Sequence, residues 1–166
     1  MDSIYLIGFM GSGKTTVAKW LAEKLQLPLQ DTDDMVEQAY GMKISDIFEA
    51  YGEETFRTFE SQVLTQTKTK DCIVSTGGGI IERDINVNWL QNKQVIYLQT
   101  SWDVIFNRLK NDATRPIWSD QKKDKQALLR KRESTYLQVA TYTVPTDGKT
   151  VEQIGSDILD LIYING

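Results

Sequence analysis

Short apolar runs alternate with helix-length amphipathic segments along this chain. The runs cover residues 3–7, 27–30, 72–75, 94–98 and 142–144, and each gives way to a turn signal and then a helical pattern. Runs this short suit buried strands, and their alternation with helices predicts strand–helix–strand units building a mostly parallel sheet. Val17, Leu21 and Leu25 form the apolar stripe of the first helix, and Val151, Ile154, Ile158 and Leu161 that of the last. Right-handed crossovers would place helices on both faces of the sheet, with ligands outside the carboxyl ends of the strands. Chemistry is therefore to be sought where the runs end. Segment 111–125 breaks the rhythm: it is polar, carries Arg115-Pro116 and shows no helical periodicity until near its end. A plain surface loop is the simpler reading, but the length fits a lid that closes over a site.

The first run ends in Gly8-Phe9-Met10-Gly11-Ser12-Gly13-Lys14-Thr15, which satisfies G-x-x-x-x-G-K-[ST] at every fixed position. Glycines let the backbone turn its N–H groups toward phosphate oxygens, and a side chain would obstruct that approach. The helix that follows adds the positive end of its dipole. Lys14 is placed to reach the β- and γ-phosphates, and the Thr15 hydroxyl to bind Mg²⁺. A glycine-rich turn with no ligand is the alternative. Chance would produce the pattern in on the order of one chain of this length in a hundred, and the flanking strand and helix lower that further. The motif predicts nucleotide phosphate binding and names no second substrate.

The second run ends in Asp31-Thr32-Asp33-Asp34. If the strand continues, Asp31 and Asp33 share a face and point together into the site. Beside a phosphate loop, one carboxylate can hold a hydrated metal and the other can take a proton from an attacking hydroxyl. Asp34, with Glu37 three residues on, looks instead like a helix cap. The third run closes on Thr76-Gly77-Gly78-Gly79, a simple turn or a place where backbone must approach a ligand. Arg57 and Glu60 fall at i, i+3 on a helical segment, and Arg132 lies within Arg130-Lys131-Arg132-Glu133. Taken singly, each of these arginines reads as a solvated surface charge.

Composition removes several classes of chemistry. The chain has 166 residues, 40% hydrophobic and 25% charged, enough for one globular domain over 1–166. It holds no histidine, so a Ser-His-Asp triad and a histidine-ligated zinc site are excluded, and any general base must be a carboxylate, lysine or tyrosine. Cys72, the single cysteine, lies in an apolar run and reads as a buried structural thiol in a reducing, cytoplasmic setting. There is no bilayer-length apolar stretch and no basic region ahead of the first run, which argues against a membrane span or secretory signal. A net charge of −4 gives no general attraction to nucleic acid or anionic membrane, though a local basic pocket is still allowed.

Together these residues resemble the shikimate kinase family. The resemblance runs from the phosphate loop to the last helix. It rests on Asp31-Thr32-Asp33, Ile44-Ser45-Asp46-Ile47-Phe48, Gly52-Glu53, Phe56-Arg57, Glu60, Gly77-Gly78-Gly79, Arg115-Pro116, and Lys131-Arg132 with Tyr136. It implies an α/β, single-domain P-loop kinase with a five-stranded parallel sheet flanked by helices, nucleoside-monophosphate-kinase-like, with a lid near 111–125. It also implies transfer of the ATP γ-phosphate to the 3-hydroxyl of shikimate, with Mg²⁺. No apolar surface stripe demands a dimer, so a monomer is expected. On that resemblance Gly11, Ser12, Gly13, Lys14, Thr15 and Thr16 hold the ATP phosphates. Arg108 lies against adenine, and Arg115 reaches the phosphates on closure. Asp31 supports the metal through water, Asp33 binds the acceptor hydroxyls, and Arg57 and Arg132, with Gly78 and Gly79 beside the ring, bind the substrate. Two departures stand out. Ser134-Thr135-Tyr136 replaces a common Pro-Leu-Tyr, and the loop Thr146-Asp147-Gly148-Lys149-Thr150 lacks the Arg and Pro often found there. Two rival readings are another small-molecule P-loop kinase, such as a gluconate kinase, and a catalytically silent nucleotide-binding regulator. The glycine triplet and the spacing around Arg57 favour shikimate over gluconate, and the set Lys14, Thr15, Asp31 and Asp33 argues against a silent protein.

Overall fold

The structure, a computed structural model, describes residues 1–111 and 119–165. Strands β1 (Ile4–Ile7), β2 (Leu29–Asp31), β3 (Ile73–Ser75), β4 (Gln94–Gln99) and β5 (Tyr142–Pro145) form one sheet in the order β2-β3-β1-β4-β5, every pair parallel. Helices α1 (Lys14–Leu25), α2 (Thr32–Tyr40), α3 (Ile44–Tyr51), α4 (Glu53–Leu64), α5 (Asp84–Leu90), α6 (Trp102–Lys110), α7 (Ser119–Val139) and α8 (Val151–Asn165) make the connections.

Strand alternation divides the core in two. Along β1, Ile4 and Leu6 pack with Val17 and Leu21 of α1 and Ile154 and Ile158 of α8. Tyr5 and Ile7 turn the other way, toward Leu90 of α5, Ile105 of α6 and Tyr136 of α7. Burying each Leu or Ile of this kind contributes about 1.5–3 kcal/mol, so the sheet is fixed from both sides. A third cluster, Val36, Ile47, Phe56 and Val63, holds α2, α3 and α4 together beside the edge strand β2.

The topology places the site. After β1 the chain enters α1 on one face and passes β3 to reach β2; after adjacent β3 it enters α5 on the opposite face and crosses back to β4. Loops leaving neighbouring strands in opposite directions open a crevice at the carboxyl edge. The phosphate loop and the glycine triplet are those two loops. Thr76 ties them together, its N–H and Oγ1 both donating to Leu6 O, at 3.2 and 2.8 Å.

Three details differ from the sequence reading. Strand β2 stops at Asp31, so Thr32, Asp33 and Asp34 already belong to α2. Asp31 is the cap of that helix: its Oδ1 accepts from the N–H groups of Asp33 at 2.9 Å and Asp34 at 3.1 Å. Asp34 sits in the first turn, and Glu37 accepts from the N–H of Ile44 at 2.9 Å, so these two form no capping box. Of the candidate lid, residues 112–118, including Arg115, lie outside the described residues. The rest runs into α7 from Ser119, earlier than periodicity indicates. Lys122 and Asp124 there are exposed, and exposed polar positions give no apolar periodic signal.

Candidate active site

Gly8, Gly11 and Gly13 adopt φ of 154°, 81° and 90°, backbone that L side chains rarely enter. At Gly8 space also forbids a side chain, since a Cβ would stand 3.0 Å from Leu98 O and 2.9 Å from Ser12 Oγ. The turn delivers the chain into α1 with Gly13 as its cap and Lys14 as its first residue. The Lys14 stem is buried, and its ammonium donates to the loop carbonyls of Gly8 at 2.5 Å and Phe9 at 3.0 Å. Those bonds hold a positive charge at the wall of a cavity of about 270 Å³. Gly11, Gly13, Lys14, Thr15 and Thr16 line it on one side, and Asp31, Asp33 and Gly77-Gly78 on the other. Asp31 and Asp33 therefore do meet at one site, as the sequence suggests. They do so across a strand–helix junction rather than along one strand face.

A second cavity of about 270 Å³ lies behind the loop, between Gly11–Gly13, Arg108, Lys149, Val151 and Ile154. Arg108 donates from Nη1 to Gly11 O at 2.7 Å. Lys149, for which the sequence gives no role, lines the same cavity and pairs with Asp157 at 2.8 Å. The guanidinium of Arg108 thus stands beside the phosphate loop.

The acceptor side is built from side chains. Arg57 and Glu60 on α4 are far from a solvated pair: Glu60 is 1% exposed, and Arg57 Nη1 donates to its Oε1 at 2.9 Å. Arg57 Nη2 adds Glu53 at 3.4 Å, while its buried Nε has no hydrogen-bond partner. Burial lifts the Glu60 carboxyl above its ordinary pKa, against the pull of Arg57 and with a further push from the Asp33 charge. Burial also works against the charge on Arg57, but Glu60 and Glu53 outweigh it and hold the guanidinium firmly protonated. An orphaned buried donor on a permanent cation is costly and suits an anionic acceptor.

Arg132 is likewise buried, at 6% exposure, rather than on a wet helical face. Its neighbours on α7 explain why. Leu129, Tyr136 and Val139 share its inward face; Tyr136 stacks on Tyr97 of β4 at 5.0 Å. Glu133 accepts from the Tyr97 hydroxyl and from Gln99 Nε2. Arg132 Nε donates to Glu82 at 2.6 Å, and its guanidinium lies 5.7 Å from the Phe9 ring centroid. The helix runs through Ser134-Thr135 without interruption, so the departure from Pro-Leu leaves Arg132 in place.

The glycine triplet is where these parts converge. A Cβ on Gly77 would meet Asp33 Oδ1 at 2.8 Å and Glu60 Oε2 at 3.1 Å. One on Gly78 would meet Met10 N at 3.2 Å and Arg132 Nη1 at 3.6 Å; one on Gly79 would stand 2.4 Å from both Nη atoms of Arg57. Close approach, rather than unusual φ, requires glycine here. The turn is pinned by Gly77 N–H donating to Thr32 Oγ1 at 3.1 Å and by the Tyr136 hydroxyl donating to Gly78 O at 2.5 Å. Burial raises the Tyr136 pKa to about 12, so the hydroxyl stays a donor at neutral pH. Thr32, Glu82 and the Tyr136 hydroxyl carry no recognisable sequence signal for these roles. Their contacts span 45 to 58 residues and exist only once the sheet has formed.

The crevice therefore offers a phosphate cradle, a carboxylate between it and the acceptor side, and two buried guanidiniums beyond. Comparison with known proteins agrees with that arrangement. The sequence profile described as shikimate kinase matches residues 10–163. The shikimate kinase of Bacillus cereus strain G9842 is 42% identical over 167 aligned positions, covering 99% of this chain and 100% of the relative. That of Sulfurihydrogenibium sp. strain YO3AOP1 is 41% identical, covering 98% of each. Among solved structures, shikimate kinase from Acinetobacter baumannii in complex with shikimate superposes with a TM-score of 0.89 at 35% identity, covering 99% of this chain and 94% of that one. Shikimate kinase from Aquifex aeolicus gives 0.87 at 32%, covering 98% and 97%. This chain belongs to the shikimate kinase family.

Proposed function

We propose that this chain transfers the γ-phosphoryl group of ATP to the 3-hydroxyl of shikimate, releasing shikimate 3-phosphate and ADP within aromatic amino-acid synthesis. One observation carries the reading. A single glycine turn brings Asp33, Arg57 and Arg132 within contact of one another's surroundings, directly across from the phosphate loop. A polyhydroxylated carboxylate matches that set: its carboxylate falls to the guanidiniums, whose donors form a planar fork, and a ring hydroxyl falls to Asp33. Gly78 and Gly79 let the backbone approach Arg132 and Arg57 closely, and on this reading the ring lies beside that turn.

Phosphoryl transfer asks chiefly for alignment and charge neutralisation. The acceptor oxygen bonds to the γ-phosphorus as the bond to the ADP oxygen breaks, and the hydroxyl proton passes to Asp33. The N–H groups of Gly11, Ser12 and Gly13, with Lys14, Thr15 and Thr16, hold the phosphates. Lys14 and Arg115 stabilise charge on the transferring group, and Arg108 packs against adenine. Among the described residues no group of three or more Asp, Glu, Cys or His could enclose a metal. Thr15 and Asp31, facing one another across the cavity, fit instead an ion that keeps most of its water and takes phosphate oxygens, as Mg²⁺ does. Asp31 Oδ1 already caps α2, so Asp31 would act through a water-bridged contact. Bound there, Mg²⁺ would neutralise the β- and γ-phosphates.

No helix among the described residues is long and apolar enough to cross a membrane. On this reading the enzyme acts in the cytoplasm, as a monomer, on ATP and shikimate. The decisive experiment is coupled ADP release with shikimate, gluconate, nucleoside monophosphates or no acceptor. Turnover with shikimate far above the others is expected. Equal turnover on gluconate would overturn the substrate assignment, and none on any acceptor would favour a silent nucleotide binder.

A further inference from the structure

The segment that follows the glycine triplet connects the two arginines. Ile80 and Ile81 bury themselves in the core, and Glu82 N–H returns to Gly79 O at 3.0 Å. Arg83 then caps α5, its carbonyl accepting from Asn86 and Val87 N–H at 3.0 and 3.2 Å. The backbone of Glu82 and Arg83 is thus held on both sides. Their side chains go to different helices. Glu82 Oε1 accepts from Arg132 Nε of α7 at 2.6 Å. Arg83 reaches α4, with Nη1 donating to Thr58 Oγ1 at 3.1 Å and Nη2 to both Glu54 O and Glu54 Oε2 at 3.0 Å. Thr58 and Glu54 flank Arg57 on that helix.

We infer that Glu82 and Arg83 form a brace that sets the spacing and orientation of Arg132 and Arg57 for the acceptor carboxylate, making both positioning residues. Nε is the inner edge of a guanidinium. Occupying it fixes rotation about the terminal bonds and leaves the Nη edge of Arg132 facing Gly78, where Nη1 stands 3.6 Å from the position of a Cβ. The charge on Glu82 would by itself repel an incoming carboxylate. Pure electrostatics therefore predicts tighter shikimate binding when that charge is removed, and positioning predicts weaker binding when the acceptor atom is removed. The two arginines sit on helices at opposite sides of the triplet, and this dipeptide contacts both.

The inference rests on the proposed acceptor, and the test separates the two. Steady-state kinetics would be run on wild type, Glu82→Ala, Glu82→Gln and Arg83→Ala with shikimate and with an analogue lacking the carboxylate. Glu82→Ala should raise the shikimate KM about tenfold, the worth of one ordered charge-assisted contact, with kcat and the ATP KM unchanged. Glu82→Gln, which keeps the acceptor oxygen, should recover most of that loss, and neither should alter the analogue's KM. In an Arg132→Lys background, where no Nε–H remains, Glu82→Ala should cost little more, whereas Arg83→Ala should still add its full effect. Should Arg83→Ala fail to fold, Glu54→Ala removes its carboxylate partner from an exposed position and should raise the shikimate KM in the same direction. An unchanged or lowered KM in a folded Glu82→Ala protein would overturn the brace while wild type still turned over shikimate. A wild type inactive on shikimate would overturn the proposed function and the brace together.

Discussion

In the proposed function, the phosphate side and the acceptor side of this crevice bind anions in different ways. The first is one contiguous octapeptide, Gly8 to Thr15, working mainly through backbone N–H groups and a helix terminus. The second gathers Asp33 from α2, Arg57 from α4 and Arg132 from α7 around a turn after β3, working through side chains buried with counter-charges. Backbone donors are fixed when the turn forms and need glycine at positive φ. Buried guanidiniums need a carboxylate each before any ligand arrives, Glu60 for one and Glu82 for the other, because an uncompensated buried charge is strongly destabilising. On that proposal the phosphate side is general for nucleotides, and selectivity resides in the side that is harder to assemble.

The comparison breaks most sharply at Lys14, the cation of the phosphate loop itself. Lys14→Met keeps the buried stem and removes the ammonium. Turnover should fall about a thousandfold, the scale for losing a preorganised charge at the transferring group, with the fold intact by circular dichroism. Shikimate binding measured by calorimetry without nucleotide should be unchanged. A matching loss there would mean the two sides are not separate.

Asp33 lies on the boundary. Asp33→Asn preserves shape and removes the proton acceptor, so kcat should drop about a hundredfold with a smaller change in shikimate KM. A change confined to KM would make Asp33 a binding group and leave proton transfer without a base.

The same contrast explains what could be read from the chain. Sheet, crossovers and phosphate loop follow from periodicity and one local motif, because their determinants are adjacent in sequence. Val17 and Leu21, or Ile154 and Ile158, take the predicted buried places. Asp31 was legible as a site residue but not as a cap, since the end of β2 is decided by an edge strand's partial exposure rather than by its apolar run. Arg57 and Arg132 look like surface charges because Glu60 is one helical turn away and Glu82 is 50 residues away. Their burial comes from packing of α4 and α7 that no local window contains. The family resemblance alone sets them apart from surface charges, and their shelter from solvent agrees with that.

Gly79 tests whether close approach is what the triplet provides. Gly79→Ala would place Cβ 2.4 Å from both Nη atoms of Arg57. The guanidinium must move, because the turn is anchored by Ile80 and Ile81 and the side chain is the softer partner. Shikimate KM should rise about tenfold, comparable to one charge-assisted hydrogen bond, with ATP KM held. A parallel rise in ATP KM would show that the change had spread to the phosphate loop.

The smallest effect is expected at the Tyr136 hydroxyl, which joins α7 to the turn. Tyr136→Phe keeps the stack on Tyr97 and deletes the bond to Gly78 O, which should cost about 1 kcal/mol in chemical denaturation at pH 7. The pH dependence gives this prediction a sign. Burial is the main cause that raises the folded pKa to about 12, with Glu82 and Glu133 adding to it and Arg132 opposing. The unfolded phenol titrates near 10. Between those values the unfolded chain loses a proton that the folded protein keeps, so stability falls as pH rises. The contribution is fully present below about pH 10 and fades through about pH 12, on the order of 2–3 kcal/mol from a two-unit difference. Burial also raises the Tyr97 hydroxyl, beside Glu133, and that residue remains in the variant. The alkaline limb of Tyr136→Phe should therefore be shallower than wild type rather than absent, while the acid limb stays the same. Equal alkaline slopes would mean that Tyr136 titrates alike in both states, and that burial does not hold its proton in the folded protein.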